Sequence, residues 1–138
     1  MRILGIDFGD KKIGLSFGES IAGIAVPLDV VPNMGDATME KFVRHVKAED
    51  IDLIVVGVPL SSRSQAQVEK VRTFIAKLSA AVTIPVVEED ESFTTAESRR
   101  LQIEEGAKAD EDALAAMLIV QQYINRGLEK EKVKTVLS

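Results

Sequence analysis

The run Leu53-Ile-Val-Val-Gly57-Val58, ahead of Pro59, shows no polar alternation at all. A strand of that kind has no face to offer water, so it belongs inside a sheet that is covered on both sides. That demands a layered α/β arrangement with helices above and below. The rest of the chain supplies the layers. Arg2–Asp7, Lys12–Phe17 and about Ile21–Val31 are short apolar or alternating runs parted by Gly-Asp and Gly-Glu-Ser turns, which predicts an antiparallel meander. Asp36 is positioned as an N-cap, and Met39, Phe42, Val43 and Val46 follow at helical spacing to about Glu49. His45, the one histidine, falls beside that stripe and reads as a boundary residue. After the polar loop Leu60–Arg63, the residues Val68, Val71, Ile75 and Leu78 mark a second helix.

Ile84–Val87 reads as a fifth strand that ends in the acidic run Glu88–Glu91. Thr94 and Glu97 have the spacing of a capping box and predict a helix toward Glu105, stopped by Gly106. Asp110 is placed to cap a last long helix carrying Leu114, Met117, Leu118 and Ile124. The charged tail from Glu129 is expected to fray. Three hairpin strands followed by alternating helix and strand give a five-stranded mixed sheet, antiparallel across strands 1–3, with helices on both faces. No repeat or linker interrupts the 138 residues, so a single domain, 1–138, is expected.

Composition excludes several classes of function. There is no Cys, hence no disulfide framework and no thiolate metal site, which suits a reducing cytoplasm. No apolar run reaches the roughly 20 residues of a membrane span, and Met1 leads straight into the first strand, so a soluble, cytoplasmic protein is expected. A net charge of -5 argues against wholesale basic binding of nucleic acid, while leaving room for a local basic rim around an acidic site.

The acidic residues fall where elements end. Asp7 closes the first strand, before a turn in which Gly9 and Gly14 give the backbone room for a ligand; Asp90 and Glu91 follow the fifth strand; Asp112 lies in the first turn of the last helix. Parallel strands deliver their carboxyl ends to one sheet edge, so these groups can converge there. Convergent carboxylates are the donor set for Mg²⁺ or Mn²⁺, and paired ions can activate water and stabilise a leaving oxygen at a phosphodiester. The same residues also have plain readings: Asp7 as a turn carboxylate, Glu88–Glu91 as solvated charge, Asp112 as a favourable charge at a helix N-terminus.

Four blocks taken together narrow the choice. Leu4-Gly-Ile-Asp7-Phe-Gly9-Asp-Lys-Lys-Ile-Gly14, Ile54-Val-Val-Gly57-Val-Pro59-Leu, Asp90-Glu91-Ser-Phe-Thr94-Thr95-Ala-Glu97 and Asp112-Ala-Leu-Ala-Ala116, in this order, resemble the YqgF/RuvX family over nearly the whole chain. The resemblance implies an RNase H-like three-layer fold and a metal-dependent nuclease in which Asp7, Glu91 and Asp112 hold one or two Mg²⁺ or Mn²⁺ ions. It places Thr94 and Thr95 beside the site, to cap a helix and touch phosphate, while the basic Lys11, Lys12 and Arg63 are read from their charge as further candidates for phosphate contacts. The substrate class it implies is structured nucleic acid, with precursor 16S ribosomal RNA first and four-way junction DNA second, and with the small ribosomal subunit as an associated partner. Two positions depart from the family pattern. Ser92 stands where relatives carry Arg after the Asp-Glu pair, and the loop Leu60–Gln65 contains no Gly.

Two competing readings remain. Asp7-Phe-Gly9 with Gly14 also resembles the first phosphate hairpin of actin-like and sugar-kinase-like ATPases, but those clamp nucleotide between two related domains and this chain has length for one. A non-catalytic nucleic-acid or ribosome-assembly module is motivated by Ser92 and by the net acidity. With one Tyr, no Trp and five Phe, base stacking is limited, so recognition would rest on phosphates and duplex shape.

Overall fold

A computed structural model describes residues 1–61, 64–91 and 110–137, with 129–137 as backbone only. In chain order the elements are β1 (Arg2–Asp7), β2 (Lys12–Glu19), β3 (Ile24–Pro32), α1 (Asp36–Ala48), β4 (Leu53–Val58), α2 (Gln65–Ala81), β5 (Val86–Asp90) and α3 (Glu111–Leu137). The five strands form one sheet in the order β3-β2-β1-β4-β5. β1 runs antiparallel to β2, β2 antiparallel to β3, and β1, β4 and β5 are parallel. This is the mixed sheet the sequence predicts, with β4 buried along all six residues.

Side-chain alternation sorts the strands onto two faces. Leu4, Ile6, Ile13, Leu15, Ile54, Val56 and Val58 share one core with Phe42 and Val46 of α1 and Val68, Val71, Phe74 and Leu78 of α2. Ile3, Leu53 and Val55 turn the other way, against Ile119, Val120 and Ile124 of α3. This second face is unusually flat where α3 crosses it. Gly5, Gly14, Gly18 and Gly57 all turn their missing side chains toward α3: an added Cβ would meet Val120 and the Ala116 carbonyl at Gly5, the Asp112 carbonyl at Gly14, Val120 at Gly18 and Ile119 at Gly57. The helix therefore lies on bare backbone, and Ser16 Oγ donates to the Ala116 carbonyl at 2.7 Å through the same gap. Gly14 is thus a strand residue opposite Asp7 that admits a helix, not the turn glycine expected for a ligand.

Several boundaries differ from expectation. β3 starts at Ile24 and not near Ile21, because Glu19 to Gly23 close a turn in which Gly23 has φ 71° and Ala22 N donates to the Glu19 carboxylate at 2.6 Å. Asp36 does not cap α1; Gly35 occupies that position with φ 63° and no side-chain cap. The chain is fixed instead by buried Thr38, whose Oγ1 accepts from Met34 N at 2.8 Å and donates to the Pro32 carbonyl at 2.9 Å. Ser64 does cap α2, accepting from Gln67 N. β5 extends to Asp90, so Glu88 and Glu89 are strand residues and not loop charge. Alternation sends Glu88 to Arg72 of α2 and Glu89 to the opposite face, where it is buried against Arg126 and Gln122 of α3. α3 continues to Leu137 where fraying is expected, in a Lys- and Glu-rich stretch of good helix formers. His45 is half-buried on α1, as a boundary residue should be. The expected Thr94–Glu97 capping box and its helix lie outside the described residues.

Candidate metal centre

Asp7 ends β1, the middle strand of the sheet, and points to the α3 face by alternation from Ile3 and Gly5. Its partner across the ladder is Gly14. Because Gly14 has no side chain, the backbone of Asp112 rests directly on it, 2.1 Å from where a Cβ would be. On the other side, Ile6 pairs with Val56, which puts Gly57 beside Asp7 at the next step of the parallel register. Glu91 continues β5, its N–H donating to the Val58 carbonyl at 3.1 Å, and Glu91 Oε2 folds over Gly57, 2.6 Å from the position of an added Cβ. Two glycines thus let two acidic residues from distant parts of the chain approach one strand end. Asn33 steadies the turn after Asp7, donating from Nδ2 to the Gly9 carbonyl at 2.8 Å.

Bringing these groups together has an electrostatic cost. Burial, the adjacent Glu91 charge and hydrogen bond, and then the Asp112 charge push the Asp7 carboxyl up to about 9. Glu91 is also raised, first by burial, with the Asp90 charge adding to the effect and the hydrogen bond from Asp7 opposing it. The two carboxyl groups share a hydrogen bond. Lys12 Nζ stands 3.1 Å from Asp112 Oδ2 and 3.9 Å from Asp110 Oδ2, and these carboxylates hold its ammonium above the ordinary lysine value. Asp110 caps α3 as expected, its Oδ1 accepting from Asp112 N at 2.9 Å.

The expected site residues therefore fall into three groups. Asp7 and Glu91 pair directly, and Asp112 is close enough for its charge to act on Asp7. Among the described residues no three His, Cys, Asp or Glu side chains close on one point, and Asp112 is in contact with Lys12. Lys11 is exposed in the same turn, its carbonyl accepting from Asn33 N. Arg63, Ser92, Thr94 and Thr95 lie outside the described residues.

The donor set suits a hard divalent cation, since it consists of carboxylate oxygens brought to one strand end. Sequence reasoning missed the supports of the site. Gly5-x-Asp7 and Gly14-x-Ser16-x-Gly18 are small residues at period two on one face, the mark of a closely approaching helix. The Glu89–Arg126 and Glu89–Gln122 contacts that tie β5 to α3 left no local signal.

Residues 1–126 match the family described as "RuvX: Holliday junction resolvase". A protein of Pelotomaculum thermopropionicum named "Putative pre-16S rRNA nuclease" is 34% identical over 134 residues, covering 91% of this chain and 87% of its own. One of the same name from Thermoanaerobacter pseudethanolicus is also 34% identical, covering 91% and 96%. Among solved structures, Thermus thermophilus RuvC in complex with a Holliday junction superposes with a TM-score of 0.66 at 14% identity, covering 93% of this chain and 96% of that one. Fowlpox virus resolvase, bound to junction DNA, gives 0.63 at 11% identity, covering 93% and 99%. These two likenesses establish the RNase H-like fold. With the family match spanning nearly all the described strands and helices, the chain belongs to the RuvX family and is a nuclease, a hydrolase of phosphodiester bonds.

Proposed function

We propose that this nuclease is a metal-dependent endonuclease in which Asp7, Glu91 and Asp112 hold one or two Mg²⁺ or Mn²⁺ ions, and that its substrate is structured RNA at the ends of precursor 16S ribosomal RNA. The observation that carries the metal reading is the convergence of Glu91 and Asp112, each laid over a glycine, on the strand end that bears Asp7. A carboxyl forced against Glu91 and near Asp112 is poorly placed as a lone acid and well placed as a cation ligand. Bound there, the ion would supply Lewis acidity and an activated water to the phosphodiester. Asp7 and Glu91 would hold it from the ends of β1 and β5, and Asp112, fixed by its backbone on Gly14, would offer the third oxygen. Lys11 in the turn and Lys12 at the start of β2 lie beside the site and are the described candidates for phosphate contacts, with Thr94 and Thr95 assigned from the family pattern and Arg63 from its charge alone.

The RNA substrate rests on the names of the relatives that are 34% identical over most of the chain. Junction DNA is the second reading, favoured by the description of the matching family. On the RNA reading the protein works in the cytoplasm beside the small ribosomal subunit. Cleavage of a precursor 16S end and of a four-way DNA junction with Mn²⁺, each with Asp7→Asn as control, tests the assignment. Metal-dependent cleavage of the RNA that Asp7→Asn abolishes, with folding stability unchanged or slightly raised, is expected. Preferential junction cleavage would move the substrate to DNA, cleavage by Asp7→Asn at the normal rate would remove Asp7 from the mechanism, and no cleavage of either would leave a binding module.

A further inference from the structure

The contact between Lys12 and Asp112 is more than a surface ion pair. It joins the start of β2 to the first turn of α3 beside Asp7, with the ammonium 3.1 Å from Asp112 Oδ2. Asp110 adds a second, weaker contact to the same ammonium. Lys12 is thus a resident cation of charge +1 where a divalent ion would have to bind, and both cannot occupy the Asp112 oxygen. The ammonium is within reach of other anions: its side chain is 58% exposed and sits on a flexible stem. Any anion brought to the β1–β2 turn competes with Asp112 for it, and a nucleic-acid backbone brings phosphates to that turn.

Building on the metal-site reading above, we infer that Lys12 guards the Asp112 side of the centre against divalent cations until a substrate phosphate draws its ammonium away, so that metal and nucleic acid bind cooperatively. Coupling of this kind is reciprocal: if substrate raises metal affinity by some factor, metal raises substrate affinity by the same factor. The chain's net charge of -5 gives such a guard a purpose, since an acidic protein attracts divalent ions and an unguarded site would fill without substrate. Lys12 acts here as a positioning residue for the ion and becomes a phosphate contact once displaced.

The test is the affinity for Mn²⁺, read by calorimetry or by electron paramagnetic resonance of free Mn²⁺, with and without a phosphorothioate duplex RNA that resists cleavage. Lys12→Met keeps the stem and removes the charge; Lys12→Arg keeps the charge and controls for folding; Asp112→Asn identifies the site. Without RNA, Lys12→Met should bind Mn²⁺ roughly tenfold more tightly than the wild type, and Lys12→Arg should stay within about twofold of it. RNA should raise wild-type Mn²⁺ affinity by a factor of about 5 or more, and that of Lys12→Met by clearly less. Mn²⁺ binding that Asp112→Asn weakens, yet is equal in wild type and Lys12→Met, would overturn the guard and leave the metal site standing. Mn²⁺ binding unaffected by Asp7→Asn and Asp112→Asn would overturn both.

Discussion

Gly14→Ala is a one-methyl perturbation that the fold turns into a displacement of Asp112, a ligand in the proposed metal site. The added Cβ would lie 2.1 Å from the Asp112 carbonyl oxygen, 2.4 Å from its carbon and 3.0 Å from Ala113 N. A carbon next to a carbonyl oxygen needs about 3.3 Å, so something must retreat by roughly 1 Å. β2 is held on both sides by β1 and β3, while the neighbour is helix backbone that cannot rotate aside. The retreat therefore falls on the first turn of α3 and carries Asp112 away from Asp7 and Glu91. A misplacement of about 1 Å at a reacting centre can cost about 100-fold in rate, and overpacking costs about 1–3 kcal/mol in stability. Single-turnover cleavage with saturating Mn²⁺ should thus slow by about two orders of magnitude, with a parallel loss in urea titration. Gly127→Ala is the control: it lies in the same helix, an added Cβ meets nothing within 4 Å, and the change should stabilise by about 0.5–1 kcal/mol with cleavage unaltered. If Gly14→Ala cleaves at the wild-type rate, the close seating of α3 does not position Asp112 and the argument fails.

Other outcomes follow from the same geometry. Asp7 is raised from 3.8 to about 9, so between those values the folded chain keeps a proton that the unfolded chain releases. Metal-free stability should fall as pH rises through that window, by at most about 1.4 kcal/mol per unit, and thermal melts of Asp7→Asn should lack that slope; parallel wild-type and mutant pH profiles would argue against a protonated Asp7. Glu89→Ala strands Arg126 and Gln122 and should cost about 1–3 kcal/mol in urea titration, less than a fully buried pair because Arg126 is half exposed and rehydrates. A cost under about 0.5 kcal/mol would show that Glu89 does not clamp β5 to α3.

β4 was readable because a strand covered on both faces leaves an apolar run with no alternation to misread. β5 was harder. Glu88 and Glu89 look like loop charge until their partners are known, and those partners, Arg72, Gln122 and Arg126, sit on helices far away in sequence. The start of α1 misled for a local reason: Asp36 has the right chemistry for a cap, but buried Thr38 already ties down the preceding backbone. At the candidate site, the positions of Asp7, Glu91 and Asp112 at element ends could be read from the sequence. How closely they approach could not, because that is decided by Gly14 and Gly57, whose missing side chains admit Asp112 and Glu91.

The glycine floor also imposes an order of assembly. A chain synthesised only as far as residue 109 has every strand of the sheet, with Asp7 and Glu91, but lacks α3, the cover for Ile3, Leu53 and Val55, and the third carboxylate. Its bare backbone stripe and the face of Ile3, Leu53 and Val55 lack their cover. The same helix that buries that face carries Asp112, so on the proposed assignment of the site a chain truncated before α3 should be unable to cut nucleic acid.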